Sequence, residues 1–190
     1  MNRNMRIIRE VNDQAERFYP TAEKLGKLAA TMLRKDHRSQ MTSLENIAET
    51  TLKSSDVYDY IKKQMARPNF DGWRRIPSSP PSPPRQQPVP SQAGAVPIQN
   101  QPANKSFGQS LLDELNGLKD RSGDICSQLG FGTETDEDKY ERQQVFLKLI
   151  RQLIRQVVVQ YEFSTSMEST QYLKSQQERK QHGPNRGTTS

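Results

Sequence analysis

Nine of the chain's 12 prolines fall between Pro77 and Pro102, in the run PSSPPSPPRQQPVPSQAGAVPIQNQP. Proline has no backbone N–H and a fixed φ, so this run cannot occupy a helix interior or a central strand. It reads as a disordered linker over residues 68–105, with polyproline II character around Pro80–Pro84. A polar tail over residues 176–190 reads as disordered too. Two segments remain to carry structure, residues 1–67 and 106–175. This division explains a hydrophobic content of only 32% in 190 residues, well under the usual level of about 45–50% counted with glycine. The deficit sits in the linker and tail, and the two flanking segments hold enough apolar residues for small cores.

Both segments have helical periodicity. Ile7, Val11, Ala15 and Phe18 step by about four, and Pro20 either ends that pattern or opens the next helix. Ala22, Leu25, Leu28, Ala29, Met32 and Leu33 form a second stripe. Met41, Leu44, Ile47, Ala48 and Leu52 form a third. Ser54 or Ser55 caps a fourth, over Val57, Tyr58, Ile61 and Met65. Ser106 and Gln109 have capping-box spacing before Leu111, Leu115, Leu118, Ile125 and Leu129, with Gly130 as a stop. The strongest element runs over residues 133–163. Thr133 is its candidate cap, and Glu134, Asp136, Glu137 and Asp138 offset the charge of its free N–H groups. Phe146, Leu149, Ile150, Leu153, Ile154, Val157, Val158 and Tyr161 make a wide apolar face that must be buried. A shorter helix across Met167, Tyr172 and Leu173 follows. No segment alternates with period two, so the fold class is all-α, a helical bundle built from two segments.

The chemistry available is limited. One Cys and two distant His make a disulfide framework or a structural zinc site improbable. Cys126 lies on an amphipathic helix with no nearby His and reads as a buried thiol. No glycine-rich phosphate loop, nucleophile elbow or His-Glu-x-x-His pattern occurs. The reading is therefore non-catalytic, with no cofactor, no metal and no small-molecule substrate. An enzyme would require the fold to bring His37 to an acidic cluster across a cleft. No run approaches a membrane span and no signal peptide is evident, so the chain is expected to be cytoplasmic, away from membranes.

Binding features are stronger. The formal charge is +6, and the excess lies in the first half, with net +4 over residues 1–67, +3 over 68–106 and −1 beyond. Arg34, Lys35 and Arg38 cluster at a helix end beside His37. Lys62, Lys63 and Arg67 end the next helix, and Phe70, Trp73, Arg74 and Arg75 follow. Such cations neutralise phosphates and release counterions without reading sequence, and Phe70 or Trp73 would offer a ring to an unpaired base. The alternative is that the cations favour helix C-termini and that Trp73 closes a small core. Lys148, Arg151 and Arg155 form a possible second basic stripe, or an ordinary solvated helix face. Pro80–Arg85 contains a P-x-x-P-x-Arg pattern of the kind read by aromatic-grooved peptide-binding modules, which a proline-rich linker also produces by chance.

Two stretches carry a family resemblance. One is RSQMTSLENIA at residues 38–48 with SDVYDYIKKQ at 55–64 and Trp73; the other is LKLIRQLIRQVVVQY at 147–161. Together, over about 50 residues, they resemble small helical proteins of type III CRISPR effector modules. The proline-rich insertion departs from the compact pattern of those small subunits. The resemblance implies a basic α-helical bundle without catalytic residues that contacts nucleic acid through Lys and Arg, in antiviral defence. The expected function is a helical subunit that binds RNA or single-stranded DNA among the protein subunits of a ribonucleoprotein complex. The alternative is a protein–protein adaptor or oligomerisation module with no nucleic-acid role.

Overall fold

A computed structural model describes residues 3–34, 37–68, 71–77, 105–130 and 135–181, with side chains of the last helix described as far as Thr170 apart from 168 and 169. Five helices follow in order: α1 (Arg3–Leu33), α2 (Arg38–Thr50), α3 (Ser54–Ala66), α4 (Phe107–Gln128) and α5 (Asp136–Gln181). A short 3-10 turn at Asp71–Trp73 follows α3. The described residues contain no strand, as the all-α reading expects.

The apolar face of α5 organises the molecule. Val145, Leu149, Ile150, Leu153, Ile154, Val157, Val158 and Tyr161 are buried in one core with residues from α1, α2, α3 and α4. Each of the other four helices packs on α5, and α1 and α3 also pack on α4. The two segments that flank the proline-rich stretch therefore build a single bundle.

Contacts fix the directions. Arg3 pairs with Asp138 and Glu141 at one end of α5, and Gln160 Nε2 donates to the Tyr19 hydroxyl farther along. Helices α1 and α5 thus run parallel. Arg38 meets Glu162 while Glu49 meets Arg155, so α2 runs antiparallel to α5. At its start α4 lies against Trp73, and Arg121 reaches the ring of Phe18, 5.8 Å from its centroid. That makes α4 antiparallel to α1.

Pro20 does not end a helix; it sits inside α1, which is continuous from Arg3 to Leu33. Proline interrupts one helical hydrogen bond and crowds the preceding turn. Here both halves of α1 bury a face on the same partner, with Val11, Ala15, Phe18, Ala22, Leu25 and Ala29 all inside, and burial outweighs the lost bond. Small residues let α1 and α5 come close. A Cβ on Gly26 would meet the Val157 carbonyl oxygen and the Tyr161 nitrogen at 2.9 Å.

Helix ends match in part. Ser106 caps α4 by accepting from the Gln109 N–H at 3.3 Å, and Gly130 takes the left-handed conformation at φ 74°. The cap of α5 is Thr135, whose hydroxyl oxygen accepts from the Asp138 N–H at 3.1 Å and donates to its carboxylate at 2.7 Å. Thr133 and Glu134 lie outside the described residues. Neither Ser54 nor Ser55 precedes α3; both lie within its first turn, and Lys53 is the cap residue. The Thr51 hydroxyl takes over the polar work there, donating to Asp56 and accepting from the Lys53 N–H. Leu52, in the connection, is 74% exposed.

No break separates a shorter helix at Met167; α5 is unbroken to Gln181, past the expected end of order at residue 175. Residues 174–181 (KSQQERKQ) are mostly good helix formers, and the stop signal comes only with Gly183-Pro184. The rest of the tail, residues 182–190, and residues 78–104 of the linker lie outside the described residues.

Two substitutions test the α1–α5 pairing. Gly26→Leu should destabilise the protein by several kcal/mol, because its side chain would strike backbone. Pro20→Ala, at an exposed position, should stabilise it by up to about 3 kcal/mol. Thermal unfolding followed by circular dichroism reads both signs.

Candidate nucleic-acid interface

Three contacts bring most of the singled-out cations to one end of the bundle. Helix α1 ends there, and the 3-10 turn packs against it: a Cβ on Gly72 would meet the Met32 carbonyl oxygen at 2.9 Å. The Tyr60 hydroxyl donates to the Gln40 carbonyl at 2.8 Å, tying α3 to the first turn of α2. A Cβ on Gly108 would meet the Trp73 carbonyl oxygen at 2.8 Å, which sets the start of α4 on the same turn. Arg34, Arg38, Lys62, Lys63, Arg67, Arg74 and Arg75 therefore share this end. Lys62, Lys63, Arg74 and Arg75 are exposed and Arg67 is half-buried. Lys35 and Phe70 lie outside the described residues.

These cations differ in what they face. Arg38 is committed in part, with Nη2 2.9 Å and Nε 3.1 Å from Glu162 Oε1. Arg34 is the one described non-glycine residue with positive φ, 52°. It occupies the left-handed position after α1 that glycine fills at lower cost. Its N–H donates to the Ala30 carbonyl at 3.1 Å, and its carbonyl accepts from the Tyr161 hydroxyl.

Trp73 is not a stacking residue. It is 0% exposed, so no part of its ring is open to a base. Nε1 donates to Gln40 Oε1 at 2.6 Å, and Gln40 Nε2 lies 3.3 Å from His37 Nδ1. The indole packs on Phe107 at 4.9 Å between ring centroids and takes Tyr60 edge-on at 6.3 Å. A buried indole N–H needs an acceptor, and the buried Gln40 is that acceptor. Sequence reasoning did not single out Gln40; its place on the core face of α2, one residue before Met41, is the signal that was there to find. Burial pushes the Tyr60 hydroxyl above its ordinary pKa, against opposing effects of Ser43, Arg67 and Gln64, which keeps it a hydrogen-bond donor.

Two of the three cations of the second basic stripe are engaged with α2. Arg151 donates from Nε to the Ala48 carbonyl at 3.0 Å and from Nη2 to the Thr51 carbonyl at 2.9 Å, closing the C-terminal end of α2. Arg155 pairs with Glu49 at 2.8 Å, and Lys148 is half-buried beside them. Because α5 is surrounded on several sides, the flank beside its apolar face meets α2 at Arg151, while Arg155 pairs with α2 and stays exposed.

Arg3 and Lys139 answer the carboxylates at the start of α5. His37 lies near the opposite end of the bundle from that cluster, separated by most of α1, roughly 45 Å at 1.5 Å per residue. Cys126 is fully buried, and burial pushes its thiol above the usual pKa, with Arg142 pulling the other way. Among the described residues no group of three or more His, Cys, Asp and Glu could hold a metal ion, and no helix is long and apolar enough to cross a membrane.

Arg34→Gly separates the backbone of this site from its charge. Relief of the left-handed conformation should stabilise the fold by about 1 kcal/mol, read by urea unfolding, while removal of the cation should lower affinity for a polyanion. The chain matches no protein-family model, no curated protein and no solved structure.

Proposed function

We propose that this chain is a non-catalytic helical subunit that binds RNA or single-stranded DNA through the basic end of its bundle, within a larger ribonucleoprotein assembly. The observation that carries the reading is the convergence of Lys62, Lys63, Arg67, Arg74 and Arg75 with Arg34 at one end; five of these six are exposed, and all but Arg34 lie within residues 62–75, at the end of α3 and just after it. Contacts of this kind hold phosphates and leave base identity unread, so binding is sequence-tolerant. The type III CRISPR small subunit is the most specific form of the proposal, resting on the sequence resemblance alone, and it carries the cytoplasmic location and the antiviral role with it.

One observation favours an adaptor as the second reading. Val159, Phe163 and Met167 lie at i, i+4 and i+8 on α5 and are 56%, 60% and 48% exposed. An apolar strip of that size fits the edge of a protein contact.

A filter-binding titration with a short RNA tests the nucleic-acid reading. Five phosphate contacts to a single strand give a salt slope of about −3.5, so affinity should fall roughly 100-fold between 50 and 200 mM salt. The triple substitution Lys62→Glu, Lys63→Glu, Arg75→Glu should weaken binding at least tenfold without changing the helical signal. Salt-independent binding, or none, would overturn the proposal. An oligomer that forms with concentration and ignores both salt and nuclease would favour the adaptor.

A further inference from the structure

A second face of the bundle holds a groove that the basic end does not include. It lies between the first half of α3, the middle of α4 and the start of α5, with a volume of about 400 Å³. That falls within the roughly 300–1,000 Å³ of small-ligand sites. Tyr58 and Phe146, both half-buried, give it aromatic walls, and Lys119, Lys139, Arg142 and Asn116 give it cations and an amide. No acidic residue lines it.

This charge pattern differs from that of the neighbouring depressions. In one, Lys105 is held by Asp113 at 2.7 Å. In another, Arg155 is held by Glu49 at 2.8 Å. In the groove, Lys139 has Asp136 at 3.0 Å, but that carboxylate is 99% exposed, and a surface pair at i, i+3 is worth only a few tenths of a kcal/mol. Burial raises the Tyr58 pKa, so its hydroxyl remains an uncharged donor at the groove wall. Three cations in a wall that holds no carboxylate, one of them in a weak surface pair with Asp136, select an anion; two aromatic walls select a flat, apolar one.

We infer that this groove binds a nucleotide, the phosphate against Lys119, Lys139 and Arg142 and the base against Tyr58 and Phe146. Tyr58 and Lys62 stand at i, i+4 on α3, on one face of the helix. A strand held at the basic end would thus run along α3 toward the groove, and this form of the inference deepens the nucleic-acid reading. The same chemistry also admits a free mononucleotide, which needs no strand.

Calorimetric titration of the full chain with AMP and with inorganic phosphate tests it. AMP should bind saturably, and inorganic phosphate at least about fivefold more weakly, since base stacking on an aromatic ring adds about 1 kcal/mol or more. Lys119→Glu with Lys139→Glu, both at exposed positions, should weaken AMP at least tenfold and leave the helical signal intact. Arg75→Glu alone, at the basic end and outside the groove lining, should leave AMP binding unchanged, which separates this site from the other even if no RNA binds there. A short RNA that displaces AMP assigns the groove to a strand, and one that binds without displacing it assigns the groove to a free nucleotide. No saturable AMP binding, equal binding of phosphate, or indifference to the double substitution would overturn the inference.

Discussion

The apolar face of α5 cannot be left in water, and the rest of the fold follows from covering it. Nine side chains between Val145 and Tyr161 are buried, each worth about 1.5–3 kcal/mol relative to exposure. Helix α1 covers the largest share, and α2 and α4 close the flanks. That demand explains why Pro20 is tolerated inside α1 and why a glycine stands at the crossing with α5. It also explains why Arg151 spends its guanidinium on the last carbonyls of α2, since a helix end pressed onto α5 must find donors for them.

The second constraint is at the exit to the proline-rich stretch. Trp73 and Phe107 stand on either side of it and are in contact. The chain on either side of the stretch is therefore held at nearly the same place. The hydrogen bond from Trp73 to Gln40 and the edge contact with Tyr60 fasten the exit to α2 and α3. The cations that follow Trp73 are thereby presented from a fixed end of the bundle, which ties the binding proposal directly to the core.

Much of this was legible in the sequence, and the exceptions share a cause. Amphipathic periodicity locates all five helices, though it divides α1 at Pro20 and α5 before Met167, and local chemistry locates the Ser106 cap and the Gly130 stop, because those signals act within one turn. The misreadings arose where tertiary contact decides. Pro20 looked like a boundary because its local cost is visible and the compensating burial is not. Arg151 reads as solvated because the sequence shows one apolar face and not how many neighbours surround it. Trp73 was open between stack and core until the fold supplied Gln40 and Phe107. The groove between α3, α4 and α5 was not legible at all: Tyr58, Lys119, Lys139, Arg142 and Phe146 are scattered over three helices and share no motif.

The central claim is that segments on both sides of the proline-rich stretch form one cooperative core. Equilibrium unfolding in urea measures it, with one probe on each side. Trp73, the only tryptophan, reports by its emission on the N-terminal side, and Cys126, the only cysteine, reports by its reactivity toward a thiol reagent on the C-terminal side. A single bundle requires both probes to change together, with the same midpoint and slope. Two separated transitions, with Cys126 exposed while Trp73 is still buried or the reverse, would show two independent units and contradict the account.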